Sequence, residues 1–331
     1  MKKMTGINLL SREISWKVLD IEIFGTLTYP DDDLSHPGIV MIAGSGPTDR
    51  DWCTPLLPGK NGSGKVLAET LAGEGYATLR YDKMASGPHV RENLPKFAGK
   101  ASMDTHMEEL AGAISTMVSQ ENVIKERIYA LTNSEGGIHA VNYQLSARSP
   151  KFKAIVLTGA PGRSVGDVAR SQLAAQGKSY PNADKILEKY DRAVNQFLLG
   201  NKMDIEDSLP EGVKLMLKSL ESPYNLPFSR ELWKYDLSEN LKKITEPLLI
   251  VIGKKDIQVS WKDDGILLES ALADKGTADF AYPEDADHVL KHVDLPLESI
   301  SAEFATSHYN SDGSHLDTEA VKIIKEWLGR H

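Results

Sequence analysis

What most constrains this chain is a set of short apolar runs, too uniformly apolar to alternate and too short to be helices. Gly38–Ala43 (GIVMIA), Ala77–Tyr81 (ATLRY), Ile128–Thr132 (IYALT), Ala154–Thr158 (AIVLT) and Leu248–Ile252 (LLIVI) are of this kind. Such runs suit strands buried on both faces of a sheet, the condition of parallel strands covered by helices. Ala278–Tyr282 (ADFAY) is a weaker last member. Ile21–Tyr29 (IEIFGTLTY) alternates, as one arm of an antiparallel hairpin with the region Glu13–Leu19 does.

Helical patterns fill the gaps. Met103, Met107, Leu110, Ile114 and Met117 recur every three to four residues, a stripe that reads as a core face rather than a cofactor site. Ile138, Val141 and Leu145 share one face, and Val321, Ile324 and Leu328 form a final amphipathic helix with Asp317 or Thr318 as its cap. Strands alternating with helices predict an α/β chain with a mostly parallel central sheet and helices on both faces.

Between 163 and 243 the rhythm breaks. No strand candidate occurs there, only helical patterns such as Ile186, Tyr190, Ala193 and Phe197, opened by Pro161-Gly162 and closed by Glu246-Pro247. The expected organisation is a core in two parts, 1–162 and 244–331, with a helical cap at 163–243; a separate helical domain is the plainer alternative. Gly162 and Gly166 are expected as hinges at the cap entrance. The cap carries Tyr180, Tyr190, Phe197, Met203, Leu215, Met216, Phe228 and Trp233, most of them cap core and a few lining a pocket.

Composition narrows the partners. Net charge of −9 argues against nucleic acid. No stretch approaches the roughly 20 apolar residues of a membrane span, and Ser11, Arg12 and Glu13 interrupt any leader-like apolar segment. A single cysteine, Cys53, excludes an internal disulfide and fits a reducing compartment, so a cytoplasmic location is expected. Cys and His clusters at metal spacing are missing, so no metal or cofactor is expected. Gly59–Val66 (GKNGSGKV) imitates a phosphate loop but ends in Val66, which has no hydroxyl for magnesium, and no strand precedes it.

Chemistry centres on Ile128–Ala140 (IYALTNSEGGIHA). A nucleophile elbow needs a strand running into the serine, a sharp turn and a helix starting at once, with small residues where the chain crosses itself. The full pattern G-x-S-x-G occurs only at Gly162–Gly166 (GRSVG), and a bare S-x-G also at Ser134 and Ser311. Four residues, Gly159 to Gly162, separate the AIVLT strand from Arg163-Ser164, whereas Ser134 follows its strand after Asn133 alone and leads into a helix through Gly136-Gly137. Context therefore favours Ser134. A serine nucleophile needs a base oriented by an acid. Asp256 follows the LLIVI strand and His288 follows the last one, which supplies both in chain order; His292 is the rival base. Developing negative charge needs N–H donors, expected from the backbones of Glu135 and of Ser45 in the bend Gly44-Ser45-Gly46-Pro47.

Four segments together resemble bacterial serine esterases of the α/β-hydrolase superfamily. They are Ser134-Glu135-Gly136-Gly137, Gly44-Ser45-Gly46-Pro47 with Asp49-Arg50-Asp51, Arg80-Tyr81-Asp82-Lys83, and Gly253-Lys254-Lys255-Asp256-Ile257-Gln258-Val259. The resemblance runs from Ile21 to Leu328, with the cap only generically similar. It implies an α/β-hydrolase fold and a Ser134–His288–Asp256 triad cleaving small to medium acyl or aryl esters through an acyl-enzyme. A small-molecule ester is then the partner, and a homodimer is compatible with the chain. Thr132 and Asn133 stand where the family has Gly and His, so the elbow is expected to pack differently. A thioesterase, acyltransferase or small-peptide hydrolase would use the same residues, and a non-catalytic binding protein of the same fold is the reading of another class.

Overall fold

A computed structural model of the protein describes residues 7–177 and 182–331. Tyr180 and the first six residues, which belong to the stretch read above for a leader, lie outside them. Eight strands make one sheet: β1 (Leu9–Val18), β2 (Ile21–Pro30), β3 (His36–Ile42), β4 (Ala77–Tyr81), β5 (Val123–Asn133), β6 (Ala154–Thr158), β7 (Leu248–Val251) and β8 (Ala278–Ala281). Their order is β1-β2-β4-β3-β5-β6-β7-β8. β1 and β2 form the antiparallel hairpin, β2 pairs antiparallel with β4, and every pairing from β4 through β8 is parallel.

The uniform apolarity of the central runs has a direct cause, because alternate residues feed two different cores. Val40 and Ile42 of β3 pack beneath α3 (Met103–Val118) and α4 (Glu135–Leu145) with Leu110, Ile114 and Ile138. Ile39 and Met41 of the same strand face the other way, onto Leu67 and Leu71 of α1 (Ser63–Ala72) and Ile324 and Trp327 of α12 (Thr318–Leu328). Each fully buried aliphatic side chain contributes about 1.5–3 kcal/mol. Asp317 caps α12 by accepting the Ala320 N–H at 2.8 Å.

The helices α5 (Val165–Gly177), α6 (Ala183–Leu198), α7 (Glu211–Leu220), α8 (Phe228–Trp233) and α9 (Leu237–Leu241) lie between β6 and β7. Tyr190, Phe197, Met203, Val213 and Leu217 form a small core of their own, while Leu232 of α8 and Leu237 and Leu241 of α9 join the main one. The glycines expected as hinges are close-packing positions. A Cβ on Gly162 would stand 2.2 Å from the Asp264 carbonyl oxygen, and one on Gly166 would stand 2.7 Å from the Trp233 ring. Buried Asp264 accepts the N–H groups of Gly162 and Arg163 at 3.1 Å and the Arg163 guanidinium at 2.7 and 3.0 Å, which pins the start of the insertion.

Two features depart from the expected elements. β5 starts at Val123, because Val123 and Ile124 pair with His36 and Pro37 before the exposed Lys125–Arg127 segment bulges out of register. α2 (Val90–Phe97) holds an internal Pro95 and buries only Asn93 and Phe97, so it carries no apolar stripe to read. Beyond β7, a π-helical turn (Trp261–Gly265) runs into α10 (Ile266–Leu272), and α11 (Ala302–His308) precedes α12.

Candidate active site

The C-terminal ends of the parallel strands are where an open α/β sheet places ligands, and the expected residues meet there. β5 ends at Asn133 and α4 begins at Glu135, leaving Ser134 between them with φ 51° and ψ −122°. A non-glycine residue at positive φ costs on the order of 1–3 kcal/mol and persists only where its surroundings hold it. Here the Ser134 N–H donates to Thr158 O at 2.8 Å, and the Ser134 carbonyl accepts from Gly137 N at 3.0 Å. The crossing is tight. A Cβ on Gly136 would lie 2.4 Å from Ile42 O and 2.8 Å from Ala43 O.

Thr132 is accommodated by a hydrogen bond: its hydroxyl donates to Val156 O at 3.2 Å. It also faces Gly137, where a Cβ would sit 3.4 Å from Thr132 Oγ1, an ordinary contact. Asn133 does more than tolerate the turn. Its Nδ2 donates to the His288 carbonyl at 2.9 Å, tying the end of β5 to the loop after β8.

His288 Nδ1 stands 2.8 Å from Asp256 Oδ2. Asp256 Oδ1 accepts the N–H groups of Gln258 at 2.7 Å and Val259 at 2.9 Å, so both carboxylate oxygens are engaged and the ring orientation is set. Burial by itself pushes the His288 ring toward its neutral form. The charge and hydrogen bond of Asp256 outweigh that, and its pKa is raised. Among the described residues no hydrogen bond joins Ser134 Oγ to His288, and such contacts are commonly long before substrate arrives. Both residues line the same two cavities, of about 170 and 300 Å³. The smaller is edged by Thr48, Thr54, Tyr309 and Asn310. The larger lies under the inserted helices against Val165, Val168, Met216 and Trp233.

Ser45 lines both cavities and Glu135 the larger. Their backbone N–H groups have no hydrogen-bond partner among the described residues, the ordinary condition of the first N–H of a helix in the case of Glu135. The Asp49-Arg50-Asp51 segment explains how the Ser45 loop keeps its shape. Asp49 accepts the Asp51 and Cys53 N–H groups, each at 2.9 Å, and Arg50 binds Asp82 through Nε at 2.9 Å and Nη2 at 2.6 Å. Arg80 pairs with Asp51.

Under the elbow lies a buried polar cluster that sequence patterns did not single out. Lys83 Nζ donates to Gly44 O at 2.5 Å and stands 3.8 Å from Glu135 Oε1. Glu135 Oε1 also lies 3.2 Å from His139 Nε2. Burial alone drives the Glu135 carboxyl up, but the Lys83 charge and the His139 hydrogen bond bring it down to about 2. Lys83 came to notice only as part of a family motif, because its partners are distant in sequence.

The rival residues are engaged elsewhere. Ser164 Oγ donates to Asp167 Oδ2 at 2.6 Å and accepts the Asp167 N–H at the start of α5. His292 has both ring nitrogens occupied, by Asp317 and Asp294, each at 3.0 Å. In the segment resembling a phosphate loop, Asn61 Nδ2 donates to Ser311 O and Ser314 O, which stitches that loop to the chain after α11. Among the described residues no group of His, Cys, Asp and Glu is placed to hold a metal, and no helix is long and apolar enough to cross a membrane.

No family model matches the chain. Esterase EstD of Thermotoga maritima is 25% identical over 312 residues, which are 92% of this chain and 65% of that protein, so the chain spans about two thirds of its curated relative. An esterase of Pyrococcus furiosus superposes with a TM-score of 0.55 at 15% identity, over 97% of this chain and 91% of that one. The acylaminoacyl peptidase of Pyrococcus horikoshii gives 0.54 at 16% identity, over 99% of this chain but 42% of that longer one. In sheet order and in superposition the chain has the α/β-hydrolase fold, and in sequence it is similar to a bacterial esterase.

Proposed function

We propose that this protein is a serine hydrolase that cleaves carboxylic esters of small to medium acyl or aryl groups through an acyl-enzyme. The observation that carries the reading is the Asp256–His288 pair at 2.8 Å, facing the same cavities as a serine held at positive φ. Ser134 Oγ attacks the ester carbonyl carbon as His288 Nε2 takes its proton. The carbonyl oxygen gathers negative charge and is received by the N–H groups of Ser45 and Glu135. The tetrahedral adduct collapses, the C–O bond to the alcohol breaks, and His288 returns the proton to the departing oxygen. Water then repeats the cycle on the acyl-serine and frees the acid. Asp256 holds the ring with Nε2 toward the serine and stabilises the imidazolium that forms.

The larger cavity supports the substrate class. Val165, Val168, Met216 and Trp233 offer apolar walls to an acyl or aryl group, and the smaller, hydroxyl-edged cavity takes the alcohol. Glu135, the carboxylate among the larger cavity's lining residues, is paired with Lys83, so an uncharged acyl group is favoured. The single, buried Cys53 supports a cytoplasmic location as part of the same reading.

Turnover of p-nitrophenyl acetate tests the proposal. Ser134→Ala and His288→Ala are each expected to lose it by about 10⁴-fold or more while still unfolding cooperatively. If His292→Ala is the inactive variant and His288→Ala retains activity, the base is wrongly assigned. Unchanged turnover in Ser134→Ala sinks the proposal.

A further inference from the structure

We infer that Lys83 is a positioning residue for the oxyanion hole, and that its ion pair with Glu135 ties the two donor peptides into one unit. The inference rests on the serine-hydrolase reading above. Lys83 follows β4 by two residues, and its own carbonyl is fixed by the Ser86 N–H at 2.9 Å and the Ser86 hydroxyl at 3.1 Å. Its side chain is buried, and Nζ donates to Gly44 O.

The Gly44 carbonyl and the Ser45 N–H belong to one planar trans peptide and point to opposite sides of it. Drawing the oxygen toward Lys83 on the buried side turns the Ser45 N–H the other way, where Ser45 lines the cavities it shares with Ser134. The ammonium also polarises that peptide, which makes its N–H a stronger donor toward a developing oxyanion.

The second donor comes from Glu135, whose carboxylate lies 3.8 Å from the same Nζ and 3.2 Å from His139 Nε2. One buried cation thereby engages both the loop after β3 and the first residue of α4. A pair serving only as structural glue has little reason to be there, since desolvation offsets most of the attraction between buried ions. It also has no need of the Gly44 carbonyl. Orienting the two peptides that meet the oxyanion accounts for both features.

The test uses the full chain and a p-nitrophenyl ester. In Lys83→Met, kcat and kcat/KM are expected to fall together by about 10²-fold with KM little changed, the signature of an interaction made in the transition state. The inhibition constant of a matching trifluoromethyl ketone, which mimics the tetrahedral adduct, should rise by the same factor. Lys83→Arg, which keeps a charged donor, should recover part of the loss. Because Lys83→Met leaves Glu135 unpaired and can unfold the chain, the Lys83→Met/Glu135→Gln double variant is measured beside it. That variant keeps both backbone donors, has no uncompensated buried charge and should show the same fall in kcat. A folded variant with parental kcat, or one altered in KM alone, overturns the inference and leaves the Ser134 reading intact. Turnover that survives Ser134→Ala overturns the reading and the inference together.

Discussion

Gly136→Ala puts the elbow itself to the test. The added methyl would lie 2.4 Å from Ile42 O and 2.8 Å from Ala43 O, whereas carbon and carbonyl oxygen normally approach to about 3.3 Å. Relief requires a separation of roughly 0.9 Å between the start of α4 and the end of β3, and both obstacles are backbone, so no side chain can rotate away. That displacement moves Ser134 and the Glu135 N–H relative to Ser45. A misplacement of about 1 Å costs about 10²-fold in rate, and overpacking of this kind costs about 1–3 kcal/mol of stability. Gly137→Ala is the control one residue further on. Its methyl would meet Leu157 Cδ2 at 3.0 Å and Thr132 Oγ1 at 3.4 Å, both on side chains, and the helix-propensity gain of about 0.8–1 kcal/mol from Gly to Ala offsets the crowding. Initial rates on p-nitrophenyl butyrate and thermal unfolding should therefore show Gly136→Ala lowered in both and Gly137→Ala close to the parent. Parental kcat/KM and Tm in Gly136→Ala, or equal damage from both variants, would refute the reasoning.

Three further outcomes are expected. In the proposed reaction His288 must be neutral to accept the serine proton, and its pKa is raised chiefly by Asp256 against burial, so kcat/KM is expected to decline as pH falls through that raised value; Asp256→Asn should shift this acidic limb to lower pH and reduce kcat by about 10³–10⁴-fold, and an unmoved limb contradicts the assignment. Burial pushes the Asp287 carboxyl up to about 7, and a carboxyl raised on folding costs stability above its unfolded pKa, fully so above its folded one. Asp287→Asn should accordingly leave stability near pH 4 unchanged and raise it at pH 8 by on the order of 2–4 kcal/mol in urea unfolding; equal effects at both pH values would count against it. Val168 lines the larger cavity, so Val168→Trp should reduce kcat/KM for hexanoate and longer p-nitrophenyl esters by about tenfold or more relative to acetate, and a uniform change along the series would place the acyl group elsewhere.

The strand framework was legible because burial on both faces leaves its mark residue by residue: Ile39 to Ile42 serve two cores in alternation and so must all be apolar. The elbow was legible from its flanks, a strand, a serine and two glycines before a helix. What the sequence did not convey depends on distant contacts or on backbone angles. The φ of Ser134 leaves no compositional trace. The bond from the Thr132 hydroxyl to the Val156 carbonyl becomes visible only when β5 and β6 are paired. Lys83 precedes Glu135 by half a hundred positions in a loop that composition marks as ordinary, and Asn133 meets the His288 carbonyl across 155 residues. The close packing at Gly162 and Gly166 was not legible, because a glycine needed for close packing and one needed for motion look alike in one sequence.

The central claim is that Ser134 is the nucleophile, and covalent labelling tests it most directly. A fluorophosphonate reacts with a serine activated by a neighbouring base, and peptide mapping of the labelled full chain identifies the serine modified. The account predicts a single labelled peptide containing Ser134, with labelling lost in His288→Ala. Label on a peptide containing Ser164, or on no serine at all, would contradict it.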